Sequence, residues 1–97
     1  MAAREPKTVV LLQDRLRALA PLVEEHRKAI ERDRRLPAPL FAALAEAGLF
    51  RMWLPRALGG PELDPFGFME VVEAATALDA SVGWVVGNGS GASRIDG

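Results

Sequence analysis

The spacing of apolar residues predicts a long amphipathic helix over the first third of the chain. Between Thr8 and Arg35 these residues recur at intervals of four, three, four and seven, which places them on one stripe of a helix. Pro21 lies inside this pattern, where it removes a backbone donor and clashes with the preceding turn, so we expect a kink or a restart near residues 19–22. The stripe consists of Leu12, Leu16, Leu19, Val23 and Ile30.

Prolines and glycines divide the rest of the chain into shorter helical segments. Pro39 suits the first turn of a second helix, and Gly48 is placed to adopt the left-handed conformation that ends it. After a loop rich in glycine and proline, Asp64 and Pro65 form a good N-cap and first turn for a third helix. The inward-facing residues of this third helix are predicted to be Phe68, Met69, Val72, Ala75 and Leu78.

The last segment, from Val82 to Ile95, is apolar and small and predicts a fourth helix. Gly83, Gly87 and Gly91 lie four residues apart, so they share one smooth strip on such a helix. Each glycine costs about 1 kcal/mol relative to alanine in a helix, so close packing or a binding pocket must offset that loss. The pattern as a whole predicts an all-α fold of about four helices.

The same segment admits a second interpretation, because residues 87–92 fit the G-x-G-x-x-G/A dinucleotide fingerprint. That fingerprint requires a strand over residues 82–86, then a helix and an acidic residue about 20 positions later. The chain ends five residues after the motif, so we favour a helix. Trp84 is then either a core residue or the wall of an apolar pocket beside Gly87 and Gly91.

Composition limits the function more than it indicates one. The 97 residues include 12 basic and 13 acidic side chains, so the electrostatic footprint of a nucleic-acid partner is missing. The absence of cysteine excludes disulfides and zinc–thiolate sites, and we interpret the single His26 as a packed or capped histidine. No apolar run approaches the roughly 20 residues of a membrane span, and the run from Val9 to Leu12 is shorter than the roughly 7–15 residues of a signal-peptide core. We therefore expect a cytoplasmic protein without a membrane partner.

No catalytic group stands out among the remaining residues. Glu24 and Glu25 are adjacent and point in different directions, while Glu70 and Glu73 have no histidine or metal partner in the pattern. Perturbed catalytic acids need burial or a close like charge, so surface charge is the better interpretation of both pairs. The serines lack a neighbouring base, and no G-x-S-x-G motif occurs.

Four short motifs follow one another in a specific order. Residues 44–49 read LAEAGL, residues 54–60 contain LP followed by LGG, residues 68–73 read FMEVVE, and residues 79–84 read DASVGW. This succession, from about Leu12 to the last residue, resembles the amino-terminal helical domain of the acyl-CoA dehydrogenase superfamily. Each motif is common by itself, but their order and spacing make the resemblance fairly specific.

The resemblance implies that residues 1–97 form this amino-terminal domain, without the family's β-domain and carboxy-terminal helical bundle. Members of the family are flavoproteins and usually tetramers, so a homo-oligomer is expected. The catalytic glutamate and most contacts to FAD or FMN belong to the later domains, so this chain alone is expected to be inactive and to bind no flavin tightly. By the same resemblance, the substrate pocket near the flavin would be lined by Trp84, Val85, Asn88, Gly91 and Ala92.

The reaction implied first is α,β-dehydrogenation of an acyl-CoA, in which a base takes the α-proton while a hydride moves from the β-carbon to the flavin. The Gly83-Trp84 pair also resembles the flavin-dependent monooxygenase branch, which hydroxylates aromatic rings. That branch typically has a histidine two turns after the tryptophan, where this sequence has Ala92, so hydroxylation is the alternative. A third hypothesis is a free-standing helical interaction module without catalysis.

Overall fold

The computed structural model describes the backbone of residues 6–96 and the side chains of residues 7–88. Within that range all regular secondary structure is helical, which confirms the all-α prediction. No helix in the described range combines the length and the hydrophobicity needed to cross a membrane. The elements are α1 Pro6–Ala18, α2 Ala20–Glu25, α3 Arg27–Asp33, α4 Ala38–Glu46, a 3₁₀ helix Arg56–Leu58, α5 Pro65–Leu78 and α6 Ala80–Asp96.

The predicted first helix is interrupted twice. The break before Pro21 confirms the prediction, since α1 ends at Ala18 and α2 begins at Ala20. A second break occurs at His26, whose backbone N–H is shared between two carbonyls and whose Nδ1 donates to the carbonyl oxygen of Leu22 at 3.0 Å. The half-buried His26 is therefore a capping histidine, as predicted. The stripe still forms one side of the core, in which Leu12, Leu16, Val23 and Ile30 are buried and Leu19 packs against them.

The end of α4 follows the predicted glycine cap. Gly48 has a φ of +88°, a left-handed conformation that a residue with a side chain rarely adopts. Leu49 folds back with its amide donating to the carbonyl oxygen of Leu44 at 3.2 Å, and its side chain is fully buried. In the loop that follows, the amide of Leu63 donates to the carbonyl oxygen of Met52 at 2.9 Å, and both side chains are buried. The loop is therefore attached to the core at these two residues.

Helix α5 lies at the centre of the fold and makes its most extensive contacts with α6 and α1. Its buried residues are Gly67, Val71 and Ala75, which recur every four positions. Of the residues predicted to face inward, Ala75 is buried and Phe68, Val72 and Leu78 are partly buried against the core, but Met69 is 55% exposed. The prediction for Met69 is wrong because apolar residues nearly surround this helix, so periodicity could not select the inner face.

Candidate functional site

The outer surface of α6 carries the predicted pocket residues whose side chains the structure describes. Trp84 is 70% exposed, and Asn88, one turn later, is exposed on the same face. Val85 lies beside them and is half-buried. Gly91 and Ala92 lie outside the residues whose side chains the structure describes. Three of the five predicted residues therefore lie on or beside one accessible side of α6, and a pocket formed by them stays a prediction.

A hydrogen bond links the two exposed residues of this face. The Nδ2 group of Asn88 donates to the carbonyl oxygen of Trp84 at 2.9 Å, one helical turn back. The carboxamide is therefore held along the same side of the helix as the indole ring, where both are accessible to a ligand or to another part of a larger protein.

A different face of α6 approaches α5 so closely that Gly83 has no room for a side chain. A Cβ there would overlap the side chain of Thr76 and would lie 2.8 Å from the Thr76 Cα. A Cβ on Gly87 would instead meet Cγ1 of Val72 at 3.7 Å, an ordinary van der Waals distance. Close helix packing, one of the two explanations given for the glycine strip, is therefore confirmed at Gly83.

The backbone of this segment also decides between helix and strand. Helix α6 runs without interruption through residues 82–86, where the dinucleotide fingerprint requires a strand. The dinucleotide alternative is therefore excluded, because the glycines of residues 87–92 continue a helix instead of forming a turn between a strand and a helix.

Asp79 connects the start of α6 to α3, a link that sequence reasoning missed. Its Oδ1 accepts hydrogen bonds from the backbone amides of Ser81 at 2.7 Å and Val82 at 3.4 Å, and so caps α6. Its Oδ2 accepts a hydrogen bond from Nη1 of Arg27 at 2.9 Å. Nη2 of Arg27 donates to the carbonyl oxygen of Leu78 at 3.2 Å. The junction between α5 and α6 is thus held by one side chain from α3.

This junction is sheltered on the side of the carboxylate. The Asp79 side chain is 11% exposed, whereas the Arg27 side chain is 35% exposed. Arg27 also donates from Nε to Oε1 of Glu24 at 3.0 Å, and this hydrogen bond raises the pKa of Arg27. Arg27 and Asp79 are separated by 52 positions, so no local sequence pattern could have revealed their contact.

A groove of about 680 Å³ lies beside α3 and α4. Its lining combines apolar residues such as Leu36 and Phe41 with the charged Arg32, Asp33 and Arg35. Nε of Arg32 donates to Oδ1 of Asp33 at 2.9 Å, and this hydrogen bond lowers the pKa of Asp33. Asp33 therefore neutralises the charge of Arg32 within the groove. This exposed ion pair is typical of the solvated end of a helix.

A smaller hollow of about 270 Å³ lies between α1, the turn after α4 and the segment of residues 59–61. Among the residues that the structure describes, its lining includes Arg15 of α1 and Arg51 but no acidic side chain. Nη1 of Arg15 donates to the carbonyl oxygen of Ala47 at 2.9 Å and so pairs with one of the free carbonyls at the end of α4. Sequence reasoning missed this pair of arginines as well.

Two arrangements that often mark a catalytic site are a group of metal ligands and a buried polar side chain without a partner. No group of three histidine, cysteine or acidic side chains lies close enough together to hold a metal ion in the part of the chain that the structure describes. Every buried side-chain nitrogen or oxygen there has a hydrogen-bond partner. The predicted surface carboxylates Glu24, Glu25 and Glu73 are exposed, and Glu70 is half-buried.

Comparison with known proteins gives a coherent set of relatives. The family model for the N-terminal domain of acyl-CoA dehydrogenase matches residues 9–95. The oxygenase subunit HsaA of a flavin-dependent monooxygenase from Rhodococcus jostii is 38% identical over 71 residues, which are 73% of this chain and 19% of that protein. The oxygenase component of an FADH(2)-dependent resorcinol hydroxylase from a Rhizobium species is 38% identical over 86 residues, 86% of this chain and 20% of that protein. Indole-3-acetate monooxygenase from Pseudomonas putida is 32% identical over 59 residues, 61% of this chain and 15% of that protein.

The family model covers nearly all of this chain, whereas the matches to the three relatives cover 15–20% of their own lengths. The chain spans about a fifth of the length of the HsaA subunit and the resorcinol hydroxylase component. No solved structure gives a significant match. The family model and the all-helical fold agree with the resemblance seen in the sequence motifs. The chain therefore belongs to the acyl-CoA dehydrogenase family of flavin-dependent oxidoreductases and corresponds to the N-terminal helical domain of that family.

Proposed function

We propose that this domain forms one wall of the substrate site in a flavin-dependent monooxygenase that hydroxylates aromatic compounds. The observation that carries the proposal is the agreement among the named relatives, which are a monooxygenase oxygenase subunit, a resorcinol hydroxylase and an indole-3-acetate monooxygenase. Two of these names specify an aromatic substrate. They favour hydroxylation over the dehydrogenation of an acyl thioester that the sequence motifs implied first, and dehydrogenation becomes the second candidate.

The exposed face of α6 supports the role of a wall. Trp84 leaves a large apolar surface in water, and contact with another apolar group would be favourable there. Its indole ring offers a flat surface on which an aromatic ring can stack, and the carboxamide of Asn88 offers hydrogen-bonding groups for a phenolic hydroxyl. In the complete protein, Val85, Gly91 and Ala92 would extend this wall.

We propose that most of the flavin site lies in the parts of the complete protein outside this domain. Among the described residues, the buried polar side-chain atoms already have hydrogen-bond partners within the domain. A bound flavin in the complete protein would supply the redox chemistry, while this domain would orient the substrate and exclude water. We therefore expect the 97-residue chain to bind neither FAD nor FMN tightly in a fluorescence titration, and a stoichiometric yellow complex would contradict this.

The activity test requires the complete protein that carries this domain. It would be supplied with reduced FAD or FMN, oxygen and aromatic compounds such as resorcinol and indole-3-acetate, and the products would be analysed by mass spectrometry. We expect a product that has gained one oxygen atom. A parallel reaction with acyl-CoA and an electron-accepting dye tests the second candidate, and formation of an enoyl thioester there would favour dehydrogenation.

A matched pair of variants tests the role of α6. Trp84 and Met69 are both large, apolar and exposed, but only Trp84 belongs to the proposed wall. We expect Trp84→Ala to raise KM for the aromatic substrate about tenfold, which corresponds to the loss of roughly 1.4 kcal/mol of binding energy. Met69→Ala should leave KM unchanged. Equal behaviour of the two variants would count against α6 as the substrate wall.

A second candidate of another class is a helical interaction module. The exposed side chains of Phe66, Met69 and Trp84 favour it, because such apolar surface commonly marks a contact site. Light scattering on the chain separates the two functions. As one wall of a larger homo-oligomeric enzyme, the domain should self-associate or aggregate, whereas an independent module should stay monomeric and melt cooperatively.

A further inference from the structure

The hollow beside Gly48 brings two guanidinium groups from different parts of the chain to one place. An ideal Cβ on Gly48 would lie 3.6 Å from Nη1 of Arg15 and 3.8 Å from Nη2 of Arg51. Both nitrogens therefore lie within 4 Å of a single point beside the backbone. The two arginines come from α1 and from the turn after α4, so the tertiary fold alone creates this convergence.

No carboxylate of the described residues lies within salt-bridge distance of either group. Three other arginines are paired: Arg17 with Asp14, Arg27 with Glu24 and Asp79, and Arg32 with Asp33. Two like charges this close repel each other, and a bound anion would convert the repulsion into attraction. Since the described residues that line the hollow include two arginines and no acidic side chain, an anionic ligand would balance their charge.

The size and chemistry of the hollow suit a phosphate group. An arginine presents five N–H donors in a planar fork that matches phosphate oxygens. Arg15 donates one of them to the carbonyl oxygen of Ala47, and this hydrogen bond holds its guanidinium group in place. A phosphate ester carries about −1.5 to −2 charges at pH 7, which matches two cations better than a single carboxylate does. The volume of about 270 Å³ is below the roughly 300–1,000 Å³ of sites that enclose a whole drug-sized ligand.

We propose that Arg15 and Arg51 form a binding site for a phosphate or diphosphate group. The site lies on the surface formed by α1 and the residues after α4, and none of the residues that line it belongs to the proposed substrate wall on α6. The proposal does not depend on the reaction assigned to the complete protein. The phosphate comes either from the free ion or from a phosphorylated cofactor, and these two sources share the same recognition chemistry.

The test is a calorimetric titration of the 97-residue chain with sodium diphosphate. We expect saturable binding at one site, and Arg51→Gln should raise Kd at least about tenfold, the effect of losing a charge-assisted hydrogen bond. The Arg51 side chain is exposed and forms no hydrogen bond with another described residue, so the melting temperature without ligand should not change. The control is Arg17→Gln, which removes the same charge from α1 but outside the hollow and should leave Kd unchanged.

Arg15→Gln should weaken binding as well, but it also removes the contact to Ala47, so Arg51→Gln is the decisive variant. The proposal is overturned if diphosphate does not bind, if Arg51→Gln has no effect, or if Arg17→Gln has an equal effect, because binding would then follow net charge alone. Tighter binding of citrate than of diphosphate would overturn it in favour of a carboxylate site. Binding of FMN but not riboflavin would support the cofactor as the source, and diphosphate binding without FMN binding would support the free ion.

Discussion

The inner and outer faces of the α5–α6 pair differ in the size of their side chains. The buried residues of these two helices are small or of medium size: Gly67, Val71, Ala75, Val82, Gly83 and Val86. On the outer surface the residues are large and apolar, and Phe66, Met69 and Trp84 are 74%, 55% and 70% exposed. Close approach of two helices selects small residues, whereas a solvent-facing surface need not carry apolar side chains of this size.

We expect the inner face to determine the stability of the domain and the outer face to determine its binding. The inner face packs at the density of a protein core, so small changes in volume there should alter the free energy of unfolding. The outer face makes few contacts within the domain, so changes there should alter binding and leave stability nearly constant. Four comparisons test this difference, from the largest expected effect to the smallest.

The largest effect is expected from Gly83→Ala. The new Cβ would overlap Thr76 and approach its backbone within 2.8 Å, so α6 would have to move away from α5. We expect a loss of about 3 kcal/mol in the free energy of unfolding, measured by urea denaturation, despite the better helix propensity of alanine. Gly87→Ala is the control, because its Cβ would make an ordinary contact, and stability should stay constant or rise by up to about 1 kcal/mol. A similar loss in both variants would argue against close packing at Gly83.

A second comparison uses two residues of α5 on opposite faces. Val71→Ala leaves a cavity at a fully buried position and should cost about 2 kcal/mol. Met69→Ala removes a larger side chain from the exposed face and should cost less than about 0.5 kcal/mol. Thermal denaturation followed by circular dichroism measures both. If Met69→Ala were the more damaging change, the assignment of the inner face would be incorrect.

The third comparison concerns the aspartates that cap α5 and α6. Asp64 accepts a hydrogen bond from the amide of Gly67 at 2.7 Å, and its replacement by alanine should cost about 1 kcal/mol, as is typical of an N-cap. Asp79→Ala removes an equivalent cap and also leaves Arg27 without its partner, so it should destabilise the chain more. The measurement is again the free energy of unfolding. Equal losses would mean that the contact between Arg27 and Asp79 does not contribute to stability.

The smallest effect on stability is expected from Trp84→Ala. Its side chain is mostly exposed, so the free energy of unfolding should change by less than about 0.5 kcal/mol. In the complete protein the same variant should impair substrate binding, as described above. A large loss of stability in the isolated chain would show that Trp84 belongs to the core of the domain.

Local signals in the sequence were sufficient to predict most helix boundaries. Pro21 breaks the first helix, Gly48 ends α4 with a positive φ, and Asp64 caps α5. Each signal acts through the backbone within a few residues, so it needs no knowledge of the rest of the fold. The order of the motifs in residues 44–84 predicted the family in the same way, and the comparison with known domains confirmed it.

The candidate sites depended on contacts that no local pattern encodes. The inner face of α5 could not be chosen from periodicity, because Phe66, Phe68, Met69, Val71 and Val72 place apolar groups on most of its circumference. The α6 residues were predicted correctly as members of one helix, but their division between an inner glycine face and an outer tryptophan face depends on where α5 lies.

The sequence by itself therefore determined the helical class, the helix ends and the family, since these follow from backbone preferences and from the order of short motifs. Only the tertiary structure decided that Met69 and Trp84 face outward, that Arg27 joins Asp79, and that Arg15 and Arg51 converge beside Gly48. The physical reason is separation along the chain. Residues that are tens of positions apart meet only when their helices pack, and packing depends on the shapes of whole surfaces.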